Sequence, residues 1–282
     1  MGYYEFTITA SDESRDAITN KMSEMGCLGS FERNGTMIAY FPDRYDIITL
    51  RDGLQSFRTT LKEAGLNPEI SFDYVFLSER DWNESWKKRF RPIDVGEKFS
   101  IAPPWEKNIT GRITLLIDPG MAFGTGHHET TRRCLMLIEK FSRENENKRF
   151  LDVGTGTGIL AIGAAQLGYL SAVGTDTDPL AVDAAKRNVR LNSLDNVEIR
   201  EGSISDEEGT FDVIVANLMS EVLIDIAPQI ESHLNASGLA ILSGMLVGQE
   251  DDVIEAMDNA GLRPKEQFVD DRWVSLVIAH GR

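Results

Sequence analysis

Three glycines at alternate positions, Gly154, Gly156 and Gly158, follow the short apolar run 149–153. Glycine leaves no side chain between the backbone and a ligand, and it allows the sharp bend that joins a strand to a helix. The first turn of that helix offers N–H groups to a bound ligand. The spacing therefore predicts a nucleotide-cofactor loop. The alternative is a turn whose glycines only let a helix pack closely against a sheet.

The same spacing argues against a dinucleotide. A dinucleotide fingerprint requires glycine at the first, third and sixth positions of the turn, and the sixth position counted from Gly154 is Ile159. A pyrophosphate therefore fits this turn poorly. An NAD-dependent oxidoreductase remains the disfavoured alternative.

Asp176 follows the next apolar run and lies 22 residues after Gly154. A carboxylate at this position of a parallel sheet accepts hydrogen bonds from both hydroxyls of an unphosphorylated ribose. Asp178 precedes Pro179, so it is expected to cap a helix rather than to bind a ligand.

A second glycine-rich segment, residues 119–131, leads into another helical pattern. Thr130 and Thr131 are expected to cap that helix, and either hydroxyl could bind a carboxylate. The adjacent His127 and His128 have no third ligand at a supporting spacing, so no metal site is expected.

Asn217 ends the otherwise apolar run 211–216, where its amide would point into the crevice at the carboxyl ends of parallel strands. From residue 113 onward, strand and helix patterns alternate, which predicts an α/β domain with a doubly wound, mostly parallel sheet over 113–282. Two adjacent strands, about 266–269 and 273–279, end the chain. This ending is typical of the seven-stranded methyltransferase architecture.

The first 80 residues follow the order strand, helix, strand, strand, helix, strand, which predicts a small α+β ferredoxin-like domain over 1–80. Residues 81–112 interrupt the pattern with three tryptophans, three prolines and a basic cluster. We interpret 81–112 as a linker between the two domains.

Composition restricts the functional class. The chain has a net charge of −16, 41% hydrophobic residues and two widely separated cysteines. No apolar run is long enough to cross a membrane and no export signal is visible, so a cytoplasmic protein is expected. The negative charge argues against a nucleic-acid surface and favours a basic protein partner.

Four segments, residues 123–131, 152–161, 174–179 and 216–218, resemble in order the signature blocks of the ribosomal protein L11 methyltransferases, a family of S-adenosylmethionine-dependent enzymes. Residues 81–87 and 103–106 resemble the linker of that family. The resemblance implies that lysine and/or N-terminal amines of this large-subunit protein are methylated. It also implies that the domain 1–80 recognises the substrate. The cofactor contacts it implies are Phe123, Thr131, Gly154, Gly156, Asp176 and Asn217.

Two alternatives to this function stay open: lysine methylation of another protein, and a non-catalytic relative that binds the cofactor. The sequence contains no evident catalytic base. Glu221 and His127 are candidate proton acceptors only, and neither is assigned a catalytic role.

Overall fold

The computed structural model describes residues 2–33, 36–78, 91–106, 111–118, 126, 128–142 and 145–281. The chain divides into two compact units, residues 1–89 and residues 90–282. Among the described residues, no helix has both the length and the apolar character needed to cross a bilayer.

The first unit has the predicted element order and its own apolar core. Its sheet is antiparallel, in the order β2-β3-β1-β4. The elements are β1 (Gly2–Ala10), α1 (Asp12–Glu24), β2 (Gly29–Arg33), β3 (Thr36–Pro42), α2 (Ile47–Glu63) and β4 (Ile70–Ser78). Helix α2 shows why the pattern folds this way. Asp46 caps it by accepting from the backbone N–H groups of Ile48 and Thr49, and its apolar residues bury one stripe against the sheet.

A three-stranded sheet lies partly within the stretch predicted as a linker. It consists of β5 (Ile93–Val95), β6 (Phe99–Ala102) and β7 (Ile113–Leu116). Phe99 and Ile101 are buried in the core of the second unit, so β5 and β6 belong to that unit and the predicted linker 81–112 is too long. Apolar residues alternate in these short strands, a pattern that predicts β-structure, but the nearby prolines favoured a linker instead. Residues 79–90, with Trp82 and Trp86, lie outside the described part of the chain.

The second unit contains the predicted seven-stranded sheet, in the order β10-β9-β8-β11-β12-β14-β13. Strands β8 to β12 run parallel, and β14 pairs antiparallel with both β12 and β13. The strands are β8 (Arg149–Val153), β9 (Ser171–Asp176), β10 (Val197–Glu201), β11 (Phe211–Asn217), β12 (Leu234–Leu246), β13 (Leu262–Asp270) and β14 (Trp273–His280).

Helices cover both faces of this sheet, each over a separate apolar core. The first face carries α3 (Glu129–Phe141), α4 (Ile159–Gln166) and α5 (Pro179–Leu191). The second carries α6 (Ser220–Asp225), α7 (Ala227–His233) and α8 (Glu250–Asn259). The strand order reverses between β8 and β11, which opens a crevice at the carboxyl ends of these strands.

Candidate functional site

The glycine turn after β8 is held by the neighbouring strand. The backbone N–H groups of Gly154 and Thr155 both donate to the Thr175 carbonyl, each at 2.8 Å. The N–H of Gly156 donates to Oδ2 of Asp176 at 2.9 Å, and that of Gly158 donates to the Thr155 carbonyl at 2.8 Å. These four N–H groups are therefore used inside the protein. The turn offers a ligand its shape and its lack of side chains rather than these donors.

The three glycines have different roles. All three have positive φ, and a Cβ on Gly154 would lie 2.5 Å from Cδ2 of Leu218. A Cβ on Gly158 would lie 3.1 Å from the Cβ of Ala185, so this glycine lets α4 pack closely against α5. Gly154 and Gly156 line the cavity described below, whereas Gly158 does not and is explained by its positive φ and by this close packing.

Asp152 lies beneath the turn and is buried. Its Oδ2 accepts from Oγ1 of Thr155 at 2.6 Å and from the N–H of Ala161 at 3.3 Å, while Oδ1 has no partner. Burial raises the pKa of this carboxyl to about 7; the two hydrogen bonds oppose the rise, and the charge of Asp176 adds to it. Asp152 thus joins the turn to the first turn of α4 without reaching the cavity.

Asp176 ends β9 with its carboxylate held in one orientation. Oδ2 accepts from Gly156 and Oδ1 accepts from the N–H of Asp178 at 3.0 Å. Asp178 accepts from the N–H of Leu180 at 2.9 Å and is followed by Pro179, so the prediction that it caps α5 is confirmed. Each oxygen of Asp176 retains acceptor capacity, as two ribose hydroxyls require.

Helix α3 begins earlier than the threonines predicted to cap it. His128 is the N-cap residue, because its Nδ1 accepts from the N–H of Thr130 at 3.4 Å. Thr130 and Thr131 instead lie within the first turn, so their predicted capping role is wrong. Oγ1 of Thr131 accepts from Nδ2 of Asn217 at 3.4 Å, and this contact connects α3 to the end of β11.

A cavity of about 550 Å³ opens at the carboxyl ends of the strands. Four predicted cofactor contacts line it: Gly154, Gly156, Asp176 and Asn217. Thr131 does not line the cavity, whereas Thr130 does. Phe123 and His127 lie outside the described residues. Nowhere in the described part of the chain do three or more His, Cys, Asp or Glu side chains gather as a metal site.

Several lining residues were not predicted. Gly202 and Ser203 follow β10, and their position is set by the Gly202 N–H, which donates to the Asp176 carbonyl at 2.9 Å. Ser203 begins a 3₁₀ turn, where its N–H donates to Oδ2 of Asp206 at 2.8 Å; the spacing is visible in the sequence as Ser-x-x-Asp. Trp273 lines the cavity because β14 runs antiparallel, which brings its first residue to the ligand-binding edge.

Trp273 packs edge-on against the His128 ring, with 4.9 Å between the ring centroids. Burial lowers the pKa of the imidazole, and the nearby arginines at 132 and 272 lower it further against the opposite effect of Glu129. A neutral ring is therefore favoured at pH 7.

The electrostatic character of the cavity is negative. Asp176 and Asp178 line it, and no lysine or arginine is among its described lining residues. The rest of the lining is largely apolar, with Val153, Leu218 and Val222 as examples. Such a site favours a ligand that combines a cationic centre, hydroxyl groups and apolar surface.

Comparison with known proteins agrees with this architecture. The family described as "Ribosomal protein L11 methyltransferase (PrmA)" matches residues 2–280. The chain belongs to the ribosomal protein L11 methyltransferase family. Enzymes of this family are protein methyltransferases that use S-adenosylmethionine.

Individual relatives carry the same description. The ribosomal protein L11 methyltransferase of Alkaliphilus oremlandii is 33% identical, with 98% of each chain covered. That of Clostridium perfringens strain SM101 is 39% identical over 77% of this chain and 70% of the relative. A crystal structure of a ribosomal protein L11 methylase from Lactobacillus delbrueckii subsp. bulgaricus, 33% identical, has a TM-score of 0.64 and covers 68% of this chain and 100% of the other.

S-adenosylmethionine fits the residues of the cavity. Its adenosine has an unphosphorylated ribose, which suits the oriented carboxylate of Asp176, and it carries no phosphate that would need the N–H groups already used in the turn. A Cβ at position 154 would fill the space between this turn and Leu218. The cavity volume of about 550 Å³ is in the range of small-molecule sites.

We expect the Gly154→Ala variant to bind S-adenosylmethionine at least about 10-fold more weakly, because the new methyl group displaces Leu218 and strains a positive φ. Isothermal titration calorimetry measures the affinity. Gly168→Ala is the matched control: Gly168 also has positive φ, but a Cβ there has no atom within 4 Å. Equal affinities for the two variants would contradict the assignment.

The raised pKa of Asp152 has a consequence for stability. The carboxyl has a pKa near 4 in the unfolded chain and about 7 in the folded one. Its contribution to the free energy of unfolding is therefore fully present below about pH 4 and is lost as the pH rises through 7. Asp152→Asn removes this titration. The stability of the variant relative to the wild type should therefore rise between pH 4 and 7, by up to about 1.4 kcal/mol per pH unit. Urea unfolding followed by circular dichroism at several pH values measures the difference, and a difference independent of pH would refute this account.

Proposed function

We propose that this chain transfers methyl groups from S-adenosylmethionine to lysine and/or N-terminal amines of ribosomal protein L11, in the cytoplasm. The observation that carries the proposal is that Thr175 and Asp176 accept from three N–H groups of the turn, those of Gly154, Thr155 and Gly156. A dinucleotide needs such donors for its pyrophosphate, whereas S-adenosylmethionine needs only the oriented carboxylate and the close approach of the backbone. The names of the relatives support the substrate.

Bound S-adenosylmethionine would supply an electrophilic methyl group: the lone pair of the substrate amine would form the N–C bond as the C–S bond breaks, and S-adenosylhomocysteine would leave. The residues of this chain would orient the two reactants. Asp176 would hold the ribose, and Gly154 and Gly156 would let the cofactor approach the backbone. Nδ2 of Asn217 is engaged by Thr131, which leaves its amide oxygen to accept an N–H of the incoming amine or of the cofactor.

The proton on the amine is the main obstacle to this reaction. Deprotonation at pH 7 costs about 4.6 kcal/mol for a lysine of pKa 10.4, but only about 1 kcal/mol for an N-terminal amine. Burial beside apolar side chains lowers the pKa of a lysine and reduces this cost. The apolar lining of the cavity near Asn217, with Leu218, Met219 and Val222, would provide such surroundings.

Incubation with labelled S-adenosylmethionine and total ribosomal protein tests the function. We expect one labelled band at the position of L11, and no label with the Asp176→Ala variant, because that variant loses the ribose contact. Calorimetry should show that the variant has lost cofactor binding, and circular dichroism should show that its fold is intact. A labelled band of a different protein would establish lysine methylation of another target, and cofactor binding without any transfer would establish a non-catalytic relative.

We also propose that the first unit, predicted as a domain over 1–80, recognises the substrate protein. Strand β4 is an edge strand, and its Tyr74, Val75 and Phe76 are all exposed. Exposed aromatic and apolar residues on a sheet edge are suited to protein contact. Residues 1–80 carry 13 acidic and 8 basic residues, which favours a basic partner.

The Phe76→Ser variant tests this role. We expect KM for L11 to rise about 10-fold, since an aromatic anchor is lost, while the affinity for S-adenosylmethionine stays the same. Steady-state kinetics and calorimetry measure the two quantities. Leu28→Ser is the matched control, because Leu28 is similarly exposed beside β2 at the opposite edge of the sheet. The same KM in both variants would place substrate recognition elsewhere.

A further inference from the structure

Met219 combines an unusual position with an unusual exposure. It is the N-cap residue of α6, and its side chain makes no capping hydrogen bond. Ser, Thr, Asp and Asn are strongly preferred at this position because their side chains satisfy the free N–H groups of the first turn. Methionine gives up that stabilisation, and its side chain is 67% exposed. An exposed apolar residue at a position where folding favours a polar one indicates a role other than stabilising the fold.

The surroundings of Met219 indicate what that role is. Met219 lines the cavity, two residues after Asn217, the residue placed to orient an amine. Val222 lies one helical turn further along and lines the same cavity, as does Trp273 across it. The backbone is held here, because the carbonyl of Met219 accepts from the N–H groups of Val222 and Leu223, both at 3.1 Å. An adaptable apolar side chain thus sits on a fixed backbone between solvent and the interior of the cavity.

We infer that Met219 selects for lysine by packing against the aliphatic stem of the target side chain where it enters the cavity. This inference rests on the proposed function and adds a specificity-determining residue to it. A lysine has four methylenes between its backbone and its amine, and the burial of these methylenes against an apolar side chain is favourable. Contact along the stem also removes water from around the amine, which favours the neutral form that attacks the methyl group.

A capping substitution separates this role from folding. Serine is a better N-cap than methionine, so the Met219→Ser variant should melt at the same temperature as the wild type or higher. The affinity for S-adenosylmethionine should be unchanged. At pH 7, kcat/KM for lysine methylation of L11 should fall about 10-fold, because the apolar contact is lost.

The pH profile adds a readout that a structural role would not change. When the bound lysine is less dehydrated, kcat for lysine methylation reaches half of its maximum at a higher pH, so the deficit in kcat of Met219→Ser should be smaller at pH 9 than at pH 7. Met219→Leu keeps the apolar contact and should restore activity and profile. Leu170→Ser is the matched control, because Leu170 is 57% exposed at the amino end of β9, away from the cavity.

The outcomes are distinct. A wild-type enzyme that transfers no methyl group to any amine of L11 overturns the proposed function and this inference with it, whereas one that methylates only N-terminal amines overturns the inference alone. Active wild type with an unchanged kcat/KM and pH profile in Met219→Ser overturns the inference alone. A loss in Met219→Ser that Met219→Leu fails to restore, or that Leu170→Ser reproduces, also overturns it. The selective loss supports the assignment of Met219.

Discussion

The site depends on one carbonyl group, that of Thr175 at the end of β9. It accepts two N–H groups from the turn that follows β8, and this shared acceptor ties the carboxyl ends of adjacent parallel strands together. The bend requires positive φ at Gly154, which explains the glycine there. The N–H of Gly156 then donates to the carboxylate of Asp176, so the path of the turn also fixes the orientation of this carboxylate. A change in the turn would therefore alter the carboxylate that is proposed to hold the ribose.

The same turn also couples the two halves of the sheet. Leu218, which follows β11, packs where a side chain at position 154 would lie, and its N–H donates to the Ser243 carbonyl on β12. Asn217, one residue earlier, contacts Thr131 on α3. The cavity therefore has one wall from the β8–β9 side and one from the β11–β12 side. Leu218 can approach the turn across the point where the strand order reverses because position 154 has no side chain.

The sequence was informative where a site residue is defined by its own strand. Gly154, Asp176 and Asn217 each follow an apolar run, and all three line the cavity. The sequence was less informative where the lining of the cavity depends on the direction of a side chain around a helix or on the pairing of strands that are distant in the chain. Thr130 and Thr131 are adjacent, yet successive helical residues point about 100° apart, and only Thr130 lines the cavity. Trp273 reaches it through the antiparallel pairing of β14 with β12, which no local pattern encodes. Strands β5 and β6 were hidden by neighbouring prolines.

The charge of the cavity favours turnover as well as binding. S-adenosylmethionine carries a single net positive charge from its sulfonium, ammonium and carboxylate groups, and S-adenosylhomocysteine carries none. Because Asp176 and Asp178 line the cavity and its described residues include no lysine or arginine, Coulomb attraction favours the cofactor over the product. The apolar residues would act in the opposite sense, by disfavouring the charged form of the amine. Asp176 ends β9, whereas Met219 follows β11, and β8 lies between these two strands in the sheet, so the carboxylate and the apolar side chain belong to different parts of one cavity.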